Sequence, residues 1–188
     1  MERAPCRHSA HQLCGARDCP AMFTVHATKK LLERVKQPLV EPLVEPTTAL
    51  GNWYATAIFW KPQVALFVNE QTLLPVLVPL APATTLLDRF PEALLQVLLA
   101  LEVDRAFVGA EMAETQAAVY TKTASRTVVG IMNEFTFLGR HMEEDFGPGN
   151  LLRIALDLSK TPCGPLYKRH VSPDREIRNL VESWLDSH

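Results

Sequence analysis

From Met22 onward the apolar positions of the chain switch between a period of two and a helical period, and these switches divide it into elements. Phe23-Thr-Val-His-Ala27 reads as a short strand, and residues 29–36 as a helix with Thr28 at its N-cap. Pro38-Leu-Val-Glu-Pro42-Leu-Val-Glu-Pro46 then places a proline at every fourth residue. Each proline drives its predecessor out of the helical region, which predicts an extended surface loop. The spacing is not the PxxP that SH3 grooves read. Three strand-like runs follow, Trp53 to Trp60, Val64 to Val68 and Leu73 to Leu80, separated by Lys61-Pro62 and Asn69-Glu70-Gln71. Such short connections predict an antiparallel meander, and Pro75 and Pro79 assign the third run to a sheet edge.

Residues 85–101 are rich in leucine at helical spacing, with Pro91 expected to kink or restart the helix. Asp104 is placed to cap a second helix that carries Phe107, Val108 and Met112 on one face. A strand over 118–122 leads through Thr123-Ala-Ser125 into a helix whose Val128, Met132, Phe135, Gly139 and Met142 form one buried stripe. Gly147-Pro-Gly149 ends that helix. After an apolar stretch at 151–158 and a turn at 161–165, Ser172-Pro173 opens the last helix, with Asp174 and Glu176 at its positive end. Its apolar face, Ile177, Leu180, Val181, Trp184 and Leu185, is expected to pack on its own domain. The fold class expected is α+β: an antiparallel sheet of about four to five strands, covered on one face by helices. Residues 22–146 form the core of this single domain, with 147–188 as a C-terminal appendage packed on it.

Composition changes this picture little. With 188 residues, 47% hydrophobic and 21% charged, the chain can bury a sizeable core. The formal charge of −2 supplies no global positive field for nucleic acid or anionic membrane. The most apolar stretch, Leu73 to Ala83, is broken by three prolines and falls short of the ~20 residues that span a bilayer, so no membrane association is expected. Arg3, Arg7, Arg17 and Asp18 interrupt any signal sequence, and the expected location is the cytoplasm, with reduced thiols. Residues 1–21 hold Cys6, His8, His11, Cys14 and Cys19, ligand types that suit zinc. They lack a Cys-x-x-Cys pair, and the expectation is a disordered extension, or translation starting at Met22, with no metal.

The chemistry concentrates at Lys122-Thr-Ala-Ser125-Arg126-Thr-Val-Val-Gly130-Ile-Met-Asn133. A helix start carries free N–H groups and partial positive charge, and Lys122, Thr123, Ser125 and Arg126 would add donors for an anion. Asn133, two turns further on, would be a supporting residue. Capping by Ser125, a surface ion pair for Arg126 and close packing at Gly130 explain the same residues without a ligand. The segment is not a Walker loop. Lys29 and Lys30 repeat the theme at the first helix, and would join the same basic pocket if strands 23–27 and 118–122 were neighbours. Among groups suited to hydrolysis, His26, Glu70 and Glu134 stand out, each with an ordinary structural explanation. Glu143-Glu144-Asp145 reads as a solvated acidic end, and Cys163 lacks an evident base. No cofactor is expected.

Four segments carry a resemblance: Met22-Phe-Thr-Val-His-Ala-Thr-Lys-Lys-Leu-Leu, Leu50-Gly-Asn-Trp-Tyr, Leu66-Phe-Val-Asn-Glu-Gln-Thr-Leu and Lys122 to Asn133. In that order, over about residues 22–145, they resemble a bacterial family, the domain of unknown function 6933. The family pattern has a small polar residue after the glycine and often an Asn before the arginine. This chain has Ile131 and Ser125 there, so the resemblance carries over no ligand contact for those two side chains. It implies domain limits and no activity.

Three functions are therefore in view. The residues favour a non-catalytic binding module for a phosphate-bearing ligand or nucleic acid. The alternative is an interaction module that docks a protein partner through a sheet edge or the terminal helix. The third is an enzyme acting on nucleotides or nucleic acid, set last because no general base stands out.

Overall fold

The structure, a computed structural model, describes residues 22–40, 46–115, 117–147 and 149–188. The N-terminal cysteine and histidine cluster, and the second half of the proline-spaced loop, lie outside the described residues. Five strands form one sheet: β1 (Met22–Ala27), β2 (Trp53–Ile58), β3 (Val64–Asn69), β4 (Pro75–Pro79) and β5 (Ala117–Lys122), in the order β4-β3-β2-β1-β5. Among the described residues six α-helices accompany them: α1 (Lys29–Val35), α2 (Leu86–Ala100), α3 (Arg105–Glu114), α4 (Arg126–Phe146), α5 (Leu151–Ser159) and α6 (Pro173–Leu185).

The meander β2-β3-β4 is antiparallel, and β4 lies at one edge, as short turns and its two prolines require. The sheet as a whole is mixed and not antiparallel, because β1 pairs in parallel with both β2 and β5. Connection length explains the correction. A parallel pairing needs a crossover of about a dozen residues or more, and α1 with its following loop supplies one between β1 and β2. The path from β4 to β5 carries α2 and α3, so β5 also has room to return alongside β1.

Helices cover both faces of the sheet, where the sequence pattern suggested one. Every residue of β2 and β3 is buried, which a sheet with one wet face would not allow. On one face Phe23, Trp53 and Phe67 surround Phe90 of α2, with ring centroids 5.5, 4.9 and 4.5 Å away. On the other, His26 and Tyr54 lie beneath the start of α4. Pro91 neither breaks nor restarts α2, which runs continuously through it. At the stripe on α4, a Cβ at Gly139 would come within 3.0 Å of the Trp60 ring, so a glycine permits this approach. Gly130 has no atom within 4 Å of that position, and close packing does not explain it.

The C-terminal helices complete the core. Ile154, Ala155 and Leu158 of α5 are fully buried, α5 packs on β4, and α6 packs on α3 and α5. Ile177 and Val181 of α6 are buried, and Trp184 meets Phe107 of α3 edge to face at 5.4 Å. Ser172 stands at the N-cap of α6, but its hydroxyl donates to the Asp174 carboxylate and accepts from no helix N–H. Asp104 does cap α3, accepting from the Ala106 N–H at 2.7 Å. Among the described residues, no helix is long and apolar enough to cross a membrane.

Candidate functional site

β1 and β5 run side by side in register, with Ala27 opposite Lys122. The chain therefore leaves both strands at the same end of the sheet, about one strand spacing (~4.8 Å) apart. From there α1 begins at Lys29 and α4 at Arg126. Lys29, Lys30, Lys122 and Arg126 are all exposed at this end. Lys29 faces Glu33 at 3.9 Å, whereas Lys30, Lys122 and Arg126 have no ion pair or side-chain hydrogen bond among the described residues.

The mouth of α4 is partly occupied by its own cap. Ser125 Oγ accepts from the Val128 N–H at 3.3 Å, and its carbonyl accepts from Val129 at 3.2 Å. The Arg126 and Thr127 N–H groups have no acceptor among the described residues. Two donors thus remain open beside the Arg126 side chain, at the positive end of a 21-residue helix. Thr123 is half-buried in the connection between β5 and α4. Asn133 is exposed on α4, seven residues along and so roughly 10 Å down the axis from Arg126. It stands away from the helix mouth. Thr28 occupies the N-cap position of α1 without capping it: its hydroxyl donates to Thr56 Oγ1 at 2.9 Å, and its N–H to Ala55 O.

Beneath the mouth lies a residue that sequence reasoning missed. The Ser125 N–H donates to the Tyr54 hydroxyl at 3.1 Å, and that hydroxyl donates to Glu70 at 3.5 Å. Burial, and then the charge of Glu70, raise the Tyr54 pKa above that of a free phenol, so the hydroxyl stays protonated. His26 stacks on the Tyr54 ring at 4.6 Å, and its Nδ1 faces Lys122 O at 3.1 Å. Two of the residues singled out as suited to hydrolysis, His26 and Glu70, therefore meet on one tyrosine. Their contacts there position α4 on the sheet. Glu134 is exposed on α4 and adds to the shift at Cys163, whose thiol burial pushes up to about 12. A thiol held neutral in this way is a poor nucleophile.

Asn69, fully buried, ties two of the quoted motifs together. Its amide donates to Leu50 O and Asn52 O, and its oxygen accepts from Gln71 N, Thr72 N and Thr72 Oγ1. Gly51 sits at φ +71°, and a Cβ there would meet the Gln71 amide at 2.7 Å. The Leu50-Gly-Asn and Asn-Glu-Gln-Thr segments are thus one packed corner, and it fixes where β2 begins.

A second polar residue absent from the sequence-based list is Glu111 of α3, only 2% exposed. Its Oε2 accepts from the Leu50 N–H at 3.2 Å, while Oε1 is buried with no hydrogen-bond partner among the described residues. Burial raises its pKa to about 7 against the opposing pull of the Leu50 and Ala49 N–H groups. The available signal was a carboxylate within the apolar stripe of Phe107, Val108 and Met112.

No curated protein and no solved structure matches the chain. A family model does, over residues 24–176, from within β1 through β5, α4 and α5 into the start of α6. The corner at Asn69 and the α4 start with its Tyr54 support both lie inside that span, and the chain belongs to the family described as a domain of unknown function, DUF6933.

Proposed function

We propose that this domain is a non-catalytic binding module whose anion site is the start of α4. Lys122, Thr123, Ser125 and Arg126 contact the ligand, and Lys29 and Lys30 supply charge from the neighbouring helix start. The observation that supports the reading most is the parallel pairing of β1 with β5. It brings two strand ends and four cations to one end of the sheet, beside two N–H groups that lack acceptors. Helix starts of this kind favour phosphate and carboxylate. The support below is rigid: Tyr54 holds the Ser125 N–H, and Ser125 caps the helix, so the open donors stay aimed. Because Ser125 Oγ is committed to the cap, Arg126 with its planar fork of donors is the principal contact. Asn133 is proposed only as a distal contact for a ligand long enough to follow α4.

The ligand class proposed is a phosphate-bearing small molecule or a nucleic-acid backbone. Titration of the full chain with inorganic phosphate, a nucleotide and a short RNA, followed by thermal shift and calorimetry, tests it. Saturable stabilisation by at least one of them, lost in Arg126→Ala with the fold intact, supports the site. No saturable response from any of them refutes it and favours the protein-docking module.

A further inference from the structure

The end of the sheet that carries Lys122 also holds an aromatic side chain in solvent. β1 and β2 are parallel with Ala27 opposite Ala55, so β2 runs three residues past the end of β1, and Phe59 follows it. Phe59 is 52% exposed. A lone exposed apolar residue is ordinary, but this one is set among cations. Arg34 of α1 lies over its ring, with Cζ 5.2 Å from the centroid. Lys30 stands one turn before Arg34, on the same stripe of α1. Both are exposed, and neither has an ion pair or side-chain hydrogen bond among the described residues. Glu33, the one acid of α1, faces Lys29 instead. Lys122 is level with Ala27 and Ala55, two strands from β2. Four residues along β2 and two strand spacings across put Phe59 roughly 16 Å from Lys122. α1 leaves the end of β1, packs on β2 and reaches Phe59 at Arg34, so Lys30 and Arg34 bridge that interval.

We propose that this end of the domain binds single-stranded nucleic acid, with a base stacked on Phe59 and Arg34 and the backbone running over Lys30 and Lys122 to the start of α4. The inference rests on the anion site proposed above and names its ligand. Three features select that chemistry. Unpaired cations spread over such a distance suit a chain of phosphates better than a single one. The Phe59 ring and the Arg34 guanidinium are both flat, and bases stack on either. A duplex keeps its bases stacked on one another and would leave Phe59 without a partner. Because the whole chain carries a formal charge of −2, the attraction is local and weakens with salt.

The experiment titrates the full chain into a labelled thymidine oligonucleotide of about eight residues and follows fluorescence anisotropy. An abasic oligomer of the same backbone, a duplex of the same length and a polyglutamate of equal charge serve as competitors. The expected result is saturable binding of the thymidine oligomer, about tenfold tighter than that of any competitor. Phe59→Ala should weaken it about tenfold, as for one lost base stack, and leave the abasic oligomer unchanged, while Phe59→Tyr keeps the affinity. Lys30→Gln, on an exposed side chain, should lower the slope of log affinity against log salt by about 0.7, one phosphate fewer, and decides the matter if Phe59→Ala does not fold. Equal binding of the abasic oligomer, the duplex or polyglutamate overturns the proposal, as does unchanged affinity and salt slope in the variants that fold. Inorganic phosphate bound through Arg126, with no gain from bases, overturns this inference and leaves the anion site standing. No response to phosphate or to any oligomer overturns both.

Discussion

At the start of α4, cationic side chains stand in solvent above a floor of partnered polar groups; between α3 and α6, one carboxyl is buried with an oxygen partnered and the other open. The first arrangement costs the fold almost nothing. Lys30, Lys122 and Arg126 keep their hydration, and the polar groups beneath them, the buried Tyr54 and His26 and the half-buried Ser125, have partners. The second takes free energy from the fold, because a carboxylate loses most of its hydration there. Exposed charge is therefore expected to govern binding with little effect on stability, and buried charge to govern stability.

The largest effect separating the two regions concerns pH. The Glu111 pKa is raised from 4.5 to about 7 in the folded state. Its favourable contribution is then complete below about pH 4.5 and is lost as pH rises through 7, a change of roughly 3 kcal/mol. Urea midpoints measured from pH 4.5 to 8 should show this fall in the native chain and not in Glu111→Gln. Arg126→Ala should do the reverse: phosphate binding falls about tenfold, as for the loss of one charge-assisted hydrogen bond, while stability changes by less than ~0.5 kcal/mol. Calorimetry beside urea unfolding reads both.

Smaller effects sharpen the contrast. Ser125→Ala removes the cap of α4 and should cost about 1 kcal/mol, seen in the same unfolding curves. Gly130→Ala fills open space on an exposed helix face and should stabilise by up to ~1 kcal/mol without changing phosphate affinity. If that substitution instead weakens phosphate binding, the ligand reaches further along α4 than the helix mouth.

Legibility in the sequence followed the distance over which each feature is determined. The meander β2-β3-β4 could be read because each turn lies next to the strands it joins. The cap at Asp104 and the stripe from Val128 to Gly139 are equally local. The direction of β1 was not legible: Phe23-Thr-Val-His-Ala27 pairs equally well either way, and only the crossover through α1 makes it parallel. Covered faces were underestimated for a similar reason, since a continuous apolar run such as Val64 to Val68 marks burial on both sides without naming the second layer. Tyr54 read as an aromatic strand residue, and its role depends on where α4 lands, a tertiary fact. Thr28 shows the converse. Its position is that of a cap, yet Thr56 on the adjacent strand captures the hydroxyl.

The pairing of β1 with β5 also has a consequence during synthesis. β1 is made before β5, and His26 meets Lys122 across 96 positions of chain. Until β5 has left the ribosome, one edge of β1 has no strand beside it, and that edge is available to other nascent chains. Completion of the sheet and of the cationic end above it then coincide, because both wait for the same few residues. A chain stalled before Ala117 would lack the cations of β5 and α4 and leave β1 an open template for aggregation. A messenger-level change that slows translation before β5 should therefore lower the yield of soluble protein without altering a single side chain.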